Sequence, residues 1–151
     1  MKAIHWIIAA ATFAFVQPAS AATTDPEVII YRFPGVFDDG RNATSFHCTN
    51  FSGATETIRF VTRAANGALL SNVAVNIAHL ATFSTSTQDV AVYADAFPSL
   101  NTGAVVQGTT AIAATSINVV CTAMTIDAQS IQVIAVALHG IRFAPVPGSQ
   151  E

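Results

Sequence analysis

Apolar and polar residues alternate with a period of two along most of the chain. In "NATSFHCTN", residues 42–50, Phe46 and Cys48 fall on one face and the polar residues between them on the other. In "TETIRFVTR", Ile58 and Phe60 share a face in the same way. Alternation of this kind is typical of β-strands with one buried face, and it predicts an all-β protein.

Glycine, proline and asparagine mark the turns between these strands. We predict turns at Pro34-Gly35 and at "DDG" (38–40), and a tight hairpin at Asn66-Gly67, where both residue types accept positive φ. In the last apolar segment, apolar residues fall on both faces of the strand, which predicts a central strand covered on both sides. The predicted strands are 28–33, 42–50, 55–63, 68–70, 73–77, 81–85 and 89–95, then one bent strand or two strands within 111–127, and finally 131–143.

Seven to nine short strands favour an antiparallel two-sheet sandwich of immunoglobulin-like or related topology. Two immunoglobulin hallmarks are missing. Phe60 stands where a core tryptophan is expected, and Val119 stands where a corner tyrosine is expected. We therefore predict a β-sandwich and leave its strand topology open.

The N-terminal segment has the composition of a secretory signal peptide. Lys2 precedes an apolar run over 7–16, and a small-x-small cleavage site ends at Ala21. A run of about ten apolar residues is too short to cross a bilayer as a helix. We predict that residues 1–21 are cleaved, leaving 22–151 as one β-sandwich domain with a Pro/Gly-rich tail. The mature bacterial protein is expected in the periplasm, on the cell surface or outside the cell, and not as an integral membrane protein.

Cys48 and Cys121 are the only cysteines of the chain. Outside the reducing cytosol, two cysteines in a small domain are usually oxidised to each other. A zinc site would need more ligands at short spacing, and a catalytic thiol would need an activating base. We predict a structural disulfide that ties one sheet to the other and stabilises the fold by roughly 4 kcal/mol.

Charged residues are sparse. Of six basic residues Lys2 leaves with the signal peptide, so five arginines stand against nine acids, a formal net charge of −4. A chain without lysine has no Schiff-base chemistry, and a nucleic-acid groove needs clustered positive charge. We expect no nucleic-acid partner. The expected partner is an unidentified protein or carbohydrate, contacted through loops such as "NFSGATE" (50–56) and "FPSLNTG" (97–103).

Histidine and methionine offer ligands for a transition metal. A copper site would combine His47, His139 and Met124, because copper accepts imidazole and thioether ligands. The histidines of the mature chain, His79 included, lie far apart in sequence, and the predicted N-terminus is Ala22 rather than histidine. We predict separate histidines and no cofactor, with these three residues as the metal candidates.

Asp38, Asp39 and Asn42 in "FDDGRN" offer oxygen ligands for calcium. The spacing is not that of an EF-hand loop. Asp-Gly before a strand is by itself a turn signal, and we predict a turn.

No hydrolase motif accompanies the serines, histidines and acids. The chain has no G-x-S-x-G sequence. We expect most acids at turns or strand ends, where solvated acids usually lie, and we predict no catalytic residue. The acids available for a catalytic pair are Asp25, Glu27, Asp38, Asp39, Glu56, Asp89, Asp95, Asp127 and Glu151.

Two N-x-[ST] sequons begin at Asn42 and Asn50. They matter only in a host that glycosylates exported proteins. We interpret them as coincidental.

Three stretches carry a family resemblance: "SFHCTNFSGATETIRFVTRAANGALLSN", "QGTTAIAATSINVVCTAM" and "LHGIRFAPVPGSQE". Together they resemble small exported bacterial β-sandwich proteins of unassigned function, over residues 44–151. The resemblance implies a disulfide-tied exported domain and carries over no site residue.

Two classes of function stay open. The first is a non-catalytic exported module that binds or builds, with a pilus or fimbrial subunit as a variant in which "PEVIIYRF" (26–33) is a donated strand. The second is a metal-binding or hydrolytic exported enzyme that uses His47, His139 and acids on the loops. We favour the first class, because a catalytic site needs converging titratable groups.

Overall fold

The computed structural model describes residues 27–92, 99–132 and 134–143. Within these ranges the chain forms strands and loops and no helix, so the prediction of an all-β fold is confirmed. The predicted signal peptide and the Pro/Gly tail lie outside the described residues, as do the candidate acids Asp25, Asp95 and Glu151. The strands are β1 (Val28–Asp38), β2 (Asn42–Asn50), β3 (Glu56–Arg63), β4 (Leu69–Ile77), β5 (Thr82–Ser86), β6 (Val105–Ala114), β7 (Val119–Asp127), β8 (Ala135–Leu138) and β9 (Ile141–Arg142).

Hydrogen bonds join the nine described strands into one open antiparallel sheet. Its order is β4-β3-β6-β1-β2-β7-β8, with β5 also paired to β2 and β9 to β1. The described ladder between β1 and β2 has a single register pair, Asp38 and Ala43, which leaves a narrow join between β4-β3-β6-β1 and β5-β2-β7-β8. The antiparallel fold is confirmed, whereas its division into two separate sheets of immunoglobulin-like topology is not.

Aromatic rings from both sides of the narrow join meet in the core. Phe46 in β2 contacts Phe33 in β1, with 5.7 Å between ring centroids, and Phe60 in β3, with 6.0 Å. All three side chains are buried. Because burial of a phenylalanine side chain stabilises a fold by about 1.5–3 kcal/mol, these rings form an apolar link across the join.

Cys48 and Cys121 form a disulfide, as predicted. Cys48 in β2 lies directly opposite Cys121 in β7, with 4.1 Å between their Cα atoms. This distance is close to the ~4.5 Å of a non-hydrogen-bonded cross-strand pair. The prediction that the bond ties one sheet to another is wrong, because it links hydrogen-bonded neighbours within one sheet.

The predicted hairpin after β3 is present, with different turn chemistry. Gly67 has a φ of 85°, and Asn66 is not among the residues with positive φ. The Ala64 amide donates to the Ala68 carbonyl at 2.9 Å and closes a longer loop than a two-residue turn. β4 then runs unbroken over Leu69–Ile77, where the sequence predicts two short strands.

β1 continues through Pro34 and Gly35, where the sequence predicts a turn. Its register with β6 shifts between Pro34 and Val36, and Gly35 has a φ of 78°. Glycine accepts this conformation without steric cost, so the strand absorbs the irregularity as a bulge and continues to Asp38.

The predicted strand at 89–95 is not found where the structure describes it. Residues 89–92 form no strand, and the remainder lies outside the described residues. Val90 packs against Ala43 and Ile126, on the face of β2 and β7 opposite to the aromatic core. Residues 89–92 cover that face instead of adding to the sheet.

Among the described strands the last segment lies at an edge of the sheet, so the prediction of a central strand at 131–143 is wrong. Within the described residues β8 pairs with β7 alone, and β9 pairs with β1, so the chain crosses between them after Leu138. Val136 is 73 % exposed. Apolar residues on both faces predict cover on both faces, and the described part of the chain does not supply that cover.

Candidate functional site

Polar side chains form a row across the outer face of β5 and β2, opposite to the aromatic core. His47 faces Ser84 across the two strands, with 2.7 Å between Nδ1 and the serine Oγ. Its Nε2 lies 3.4 Å from Ser45 Oγ, to which Ser86 Oγ donates at 3.3 Å. A histidine beside a serine is the arrangement in which a base activates a nucleophile.

The serine–histidine pair has geometry for proton transfer, but the His47 amide beside it is not free to bind an oxyanion. Acyl transfer needs donors aimed at the developing negative charge. His47 lies in a strand paired with β5 on one side and with β7 on the other, so its amide is committed to the sheet. The row is therefore best described as a ladder of hydrogen-bonded side chains that stabilises the strand pairing.

The three metal candidates do not form one ligand set. His47 lies on β2, and both of its ring nitrogens contact serine hydroxyls. Met124 on β7 packs in the small apolar cluster with Ile126, whereas His139 follows β8 and lines a groove beside Tyr31. Within the described part of the chain, no three His, Cys, Asp or Glu residues are placed to hold a metal ion.

The carboxylates of the "DDG" turn bind their own backbone. Asp38 Oδ1 accepts from the Gly40 amide at 3.1 Å, and Asp39 Oδ1 accepts from the amides of Asn42 at 2.6 Å and Arg41 at 3.0 Å. The bond from Asn42, followed by that from Arg41, lowers the pKa of the Asp39 carboxyl below its usual value. These carboxylates hold a turn, as the sequence predicts.

The crossing between β7 and β1 leaves a groove of about 500 Å³ lined by Tyr31, His139 and Arg142. The Arg142 guanidinium lies over the Tyr31 ring, 5.2 Å from its centroid, and Nη1 donates to the tyrosine hydroxyl at 2.9 Å. Its Nη2 donates to the Ile117 carbonyl at 2.8 Å. The volume suits a small ligand, and Arg142 also joins β9 to the loop before β7.

Glu56 at the start of β3 is buried, with only 1 % of its surface exposed. The Thr115 hydroxyl donates to its Oε2 and in turn accepts from the Thr57 amide at 3.0 Å. Its Oε1 has no hydrogen-bond partner among the residues that the structure describes. A glycosidase-type site would need a second carboxylate across a cleft, and no described groove is lined by Glu56.

Large apolar side chains are exposed along the segment that contains β8 and β9. Between Ala128 and Ile141 the sequence has no aspartate, glutamate, lysine or arginine. Such an edge presents unpaired backbone groups beside apolar surface, which is the usual template for pairing with another strand. We call this set the C-terminal apolar edge; its members, between 53 % and 83 % exposed, are Ile131, Ile134, Val136, Ile141 and Phe143.

Sequence reasoning missed two of these features and misplaced a third. Glu56 shares the period-two face of Ile58, so the pattern itself placed it inward. Ser84 belongs to the polar face of a predicted strand, but the pattern does not tell which strand lies beside it. The apolar pattern of the C-terminal apolar edge predicts a place at the centre of the sheet, whereas β8 lies at the end of the described strand order.

The described part of the chain has no helix that could span a membrane. Comparison of the chain with protein-family models, with curated proteins and with solved structures found no match.

Proposed function

We propose that this chain is an exported, non-catalytic binding or structural module that engages another protein chain by strand addition at β8. The observation that carries the proposal is the C-terminal apolar edge, an uncharged strand at the side of the sheet with Val136 largely exposed. Export is supported by the disulfide between Cys48 and Cys121, because such bonds persist outside the reducing cytosol.

The backbone of β8 is arranged for strand addition. The Asp127 amide donates to the Ile134 carbonyl at 3.4 Å, and this hydrogen-bonded pair continues the β7–β8 register one step beyond Ile126 and Ala135. Hydrogen-bonded and non-hydrogen-bonded pairs alternate in an antiparallel ladder. Val136 therefore directs its amide and carbonyl towards β7, and Ala135 and Ala137 direct theirs to the open side, where a further strand would satisfy them.

We propose in addition that the sheet folds over at the narrow join into a two-layer sandwich. The proposal is supported by Phe46 of β2, which contacts both Phe33 and Phe60 from the other part of the sheet. Such contacts form when two sheet faces pack together.

The alternative functions have less support. In the pilus variant the segment 26–33 would be donated to a neighbour, but most of it lies in β1, which is paired with β6 of its own chain. In the enzyme hypothesis His47 would act with a nucleophile; Ser84 is in place, but the His47 amide lies in a strand paired on both sides and is not free to bind an oxyanion.

A peptide with the sequence of residues 132–139, extended by a charged solubility tag, tests strand addition at β8. We expect saturable binding to the full chain in fluorescence anisotropy, because the peptide pairs with the open side of β8. Ala137→Pro should abolish binding, since proline removes an amide that points to the open side. The control is Asn72→Pro in β4, at the other end of the sheet. Folded protein of this variant should bind the peptide like the wild type. No binding by the peptide, or equal binding to the Ala137→Pro chain, would contradict the proposed function.

A further inference from the structure

We propose that the partner at β8 is a second copy of the same chain, with the two β8 strands paired antiparallel about a two-fold axis at Val136. The inference rests on the proposed function of the open edge and goes beyond it, because it names the partner and the register. A two-fold interface uses the same patch on both copies, so the patch must be complementary to itself.

The open backbone groups of β8 fit this register. A two-fold axis at Val136 places Ala135 opposite the partner's Ala137, and Ala137 opposite the partner's Ala135. These two residues are the ones whose amides and carbonyls point away from β7, as the Asp127–Ile134 bond indicates. Each facing pair exchanges two hydrogen bonds, so the interface forms four.

The side chains of β8 fit the same register. The sequence Ile134-Ala-Val-Ala-Leu138 has the same order of large and small residues in both directions. The axis therefore pairs Ile134 with the partner's Leu138 and alanine with alanine. Val136 meets the partner's Val136 at a non-hydrogen-bonded position, where facing side chains lie closest. A slip of one residue would set alanine against a large residue and turn the open backbone groups away from each other.

Charge does not oppose this pairing. The mature chain has five arginines and nine acids, so two copies carry charge of the same sign. None of those charges lies between Ala128 and Ile141, so self-pairing at β8 places no like charges opposite each other. Proteins that avoid edge pairing usually place lysine, proline or a bulge on the edge strand, and residues 134–138 have no lysine or proline.

The other end of the sheet is a weaker candidate for self-pairing. β4 exposes the polar residues Asn72 and Asn76 along its length. It is also tied to the loop beside it, because the Ser71 hydroxyl donates to the Leu100 carbonyl at 2.7 Å. β8 has no such tie within the described residues, and it exposes Val136 instead.

The interface is small, so the dimer is expected to be weak. Interfaces below about 1,200 Å² of total buried surface are usually transient. Two segments of five residues, 134–138 of each copy, joined by four hydrogen bonds lie in that class. We expect a dissociation constant on the order of 10 μM.

Sedimentation velocity on the full chain, at concentrations below and above this expected dissociation constant, tests the partner and the register together. The wild-type protein should pass from monomer to dimer. Val136→Lys and Val136→Glu should each remain monomeric, because the axis would bring like charges face to face. An equal mixture of the two variants should form a heterodimer, since opposite charges then meet at the axis. Asn72→Lys is the matched control on β4 and should dimerise like the wild type.

Ala137→Pro gives an independent readout that does not rely on charge. Its amide points to the open side, so the variant should stay folded by circular dichroism and lose the dimer. Val136→Pro removes a bond to β7 instead and should lower the melting temperature.

A wild-type chain that stays monomeric at about twenty times the expected constant would overturn the inference, as would a Val136→Lys chain that still dimerises or a mixture that does not associate. The peptide experiment separates this failure from failure of the proposed function. A monomeric chain that binds the 132–139 peptide keeps the open edge as a binding site for a different protein. A chain that neither dimerises nor binds the peptide overturns both proposals.

Discussion

Gly140 occupies a position where even a methyl group does not fit. A Cβ built there would lie 2.2 Å from Cε1 of Phe33, far inside carbon–carbon contact distance. Phe33 cannot move freely, because its ring is packed against Phe46 and Tyr31. The crossing from β8 to β9 therefore requires glycine for close approach to the core.

Gly140→Ala should lower the free energy of unfolding by about 1–3 kcal/mol, because Phe33 has to leave its packed position. Urea unfolding measures the loss. In a double-mutant cycle, Phe33→Leu should cost less in the Gly140→Ala background than in the wild type. Strictly additive losses would contradict the contact.

Asp39 should give the protein a pH-dependent stability. The amides of Asn42 and then Arg41 lower its pKa in the folded state, while the unfolded chain titrates near 3.8. The folded state thus binds this proton less readily. Asp39 contributes stability above a pH of about 3.8, and the contribution is lost as the pH falls through the lower folded pKa.

Melting temperatures of the wild type and Asp39→Asn, measured from neutral to acidic pH, test this expectation. The variant should melt slightly lower at neutral pH, and the difference should close as the pH falls below about 3.8. The same substitution at Asp89, an exposed acid outside the turn, is the control. A difference that stays constant over the whole range would contradict a charge effect at Asp39.

The facing of individual side chains was largely predictable from the sequence. The period of two placed Phe46, Cys48 and Ile58 inward, and all three are buried. Glu56 follows the same period, yet its residue type predicted solvent. In Glu56 the alternation of the strand, and not the residue type, sets the direction of the side chain, although burial removes the carboxyl group from water.

At the scale of the strand, the disulfide fixes one pairing out of many. Cys48 and Cys121 are 73 positions apart in the chain, and their bond closes that loop between neighbouring strands. Closing a loop of this length restricts the unfolded chain far more than the folded one.

Replacing both cysteines by alanine should lower the free energy of unfolding by about 2–5 kcal/mol. Urea unfolding of the oxidised wild type and of the Cys48→Ala/Cys121→Ala chain gives the difference. Both residues are buried, so in the folded wild type the bond should also resist a reductant that cleaves it in urea. Equal midpoints for the two proteins would contradict a stabilising role.

Strand bounds were predictable where a single face is buried, and less so elsewhere. β2 matches the predicted 42–50, because its alternation is regular and polar turns bound it. At 131–143 the pattern shows that both faces are apolar, but it does not show what covers them. β1 passes through Pro34 and Gly35 because a bulge accommodates both, which no local turn rule anticipates.

At the scale of the whole molecule, alternation does not determine which strands are neighbours. β1 pairs with β6 across the 66 intervening residues 39–104, and β2 pairs with three different strands. Every one of these strands has the same period, so the sequence predicts the class of fold and leaves the order of strands open. The open edge at β8 is a consequence of that order, and it could not be located before the order was known.

The response of the proposed dimer to salt distinguishes pairing at the uncharged edge from pairing through charged residues. Pairing through residues 134–138 brings no charged group into contact, so the dissociation constant should stay within about twofold from roughly 0.05 M to 0.5 M sodium chloride. The melting temperature should rise with protein concentration, because association stabilises only the folded chain. Sedimentation and thermal melts over both series measure these effects. A constant that changes by about tenfold with salt would place charged residues such as Arg32 or Arg142 in the interface, and would move the contact away from β8 towards β9.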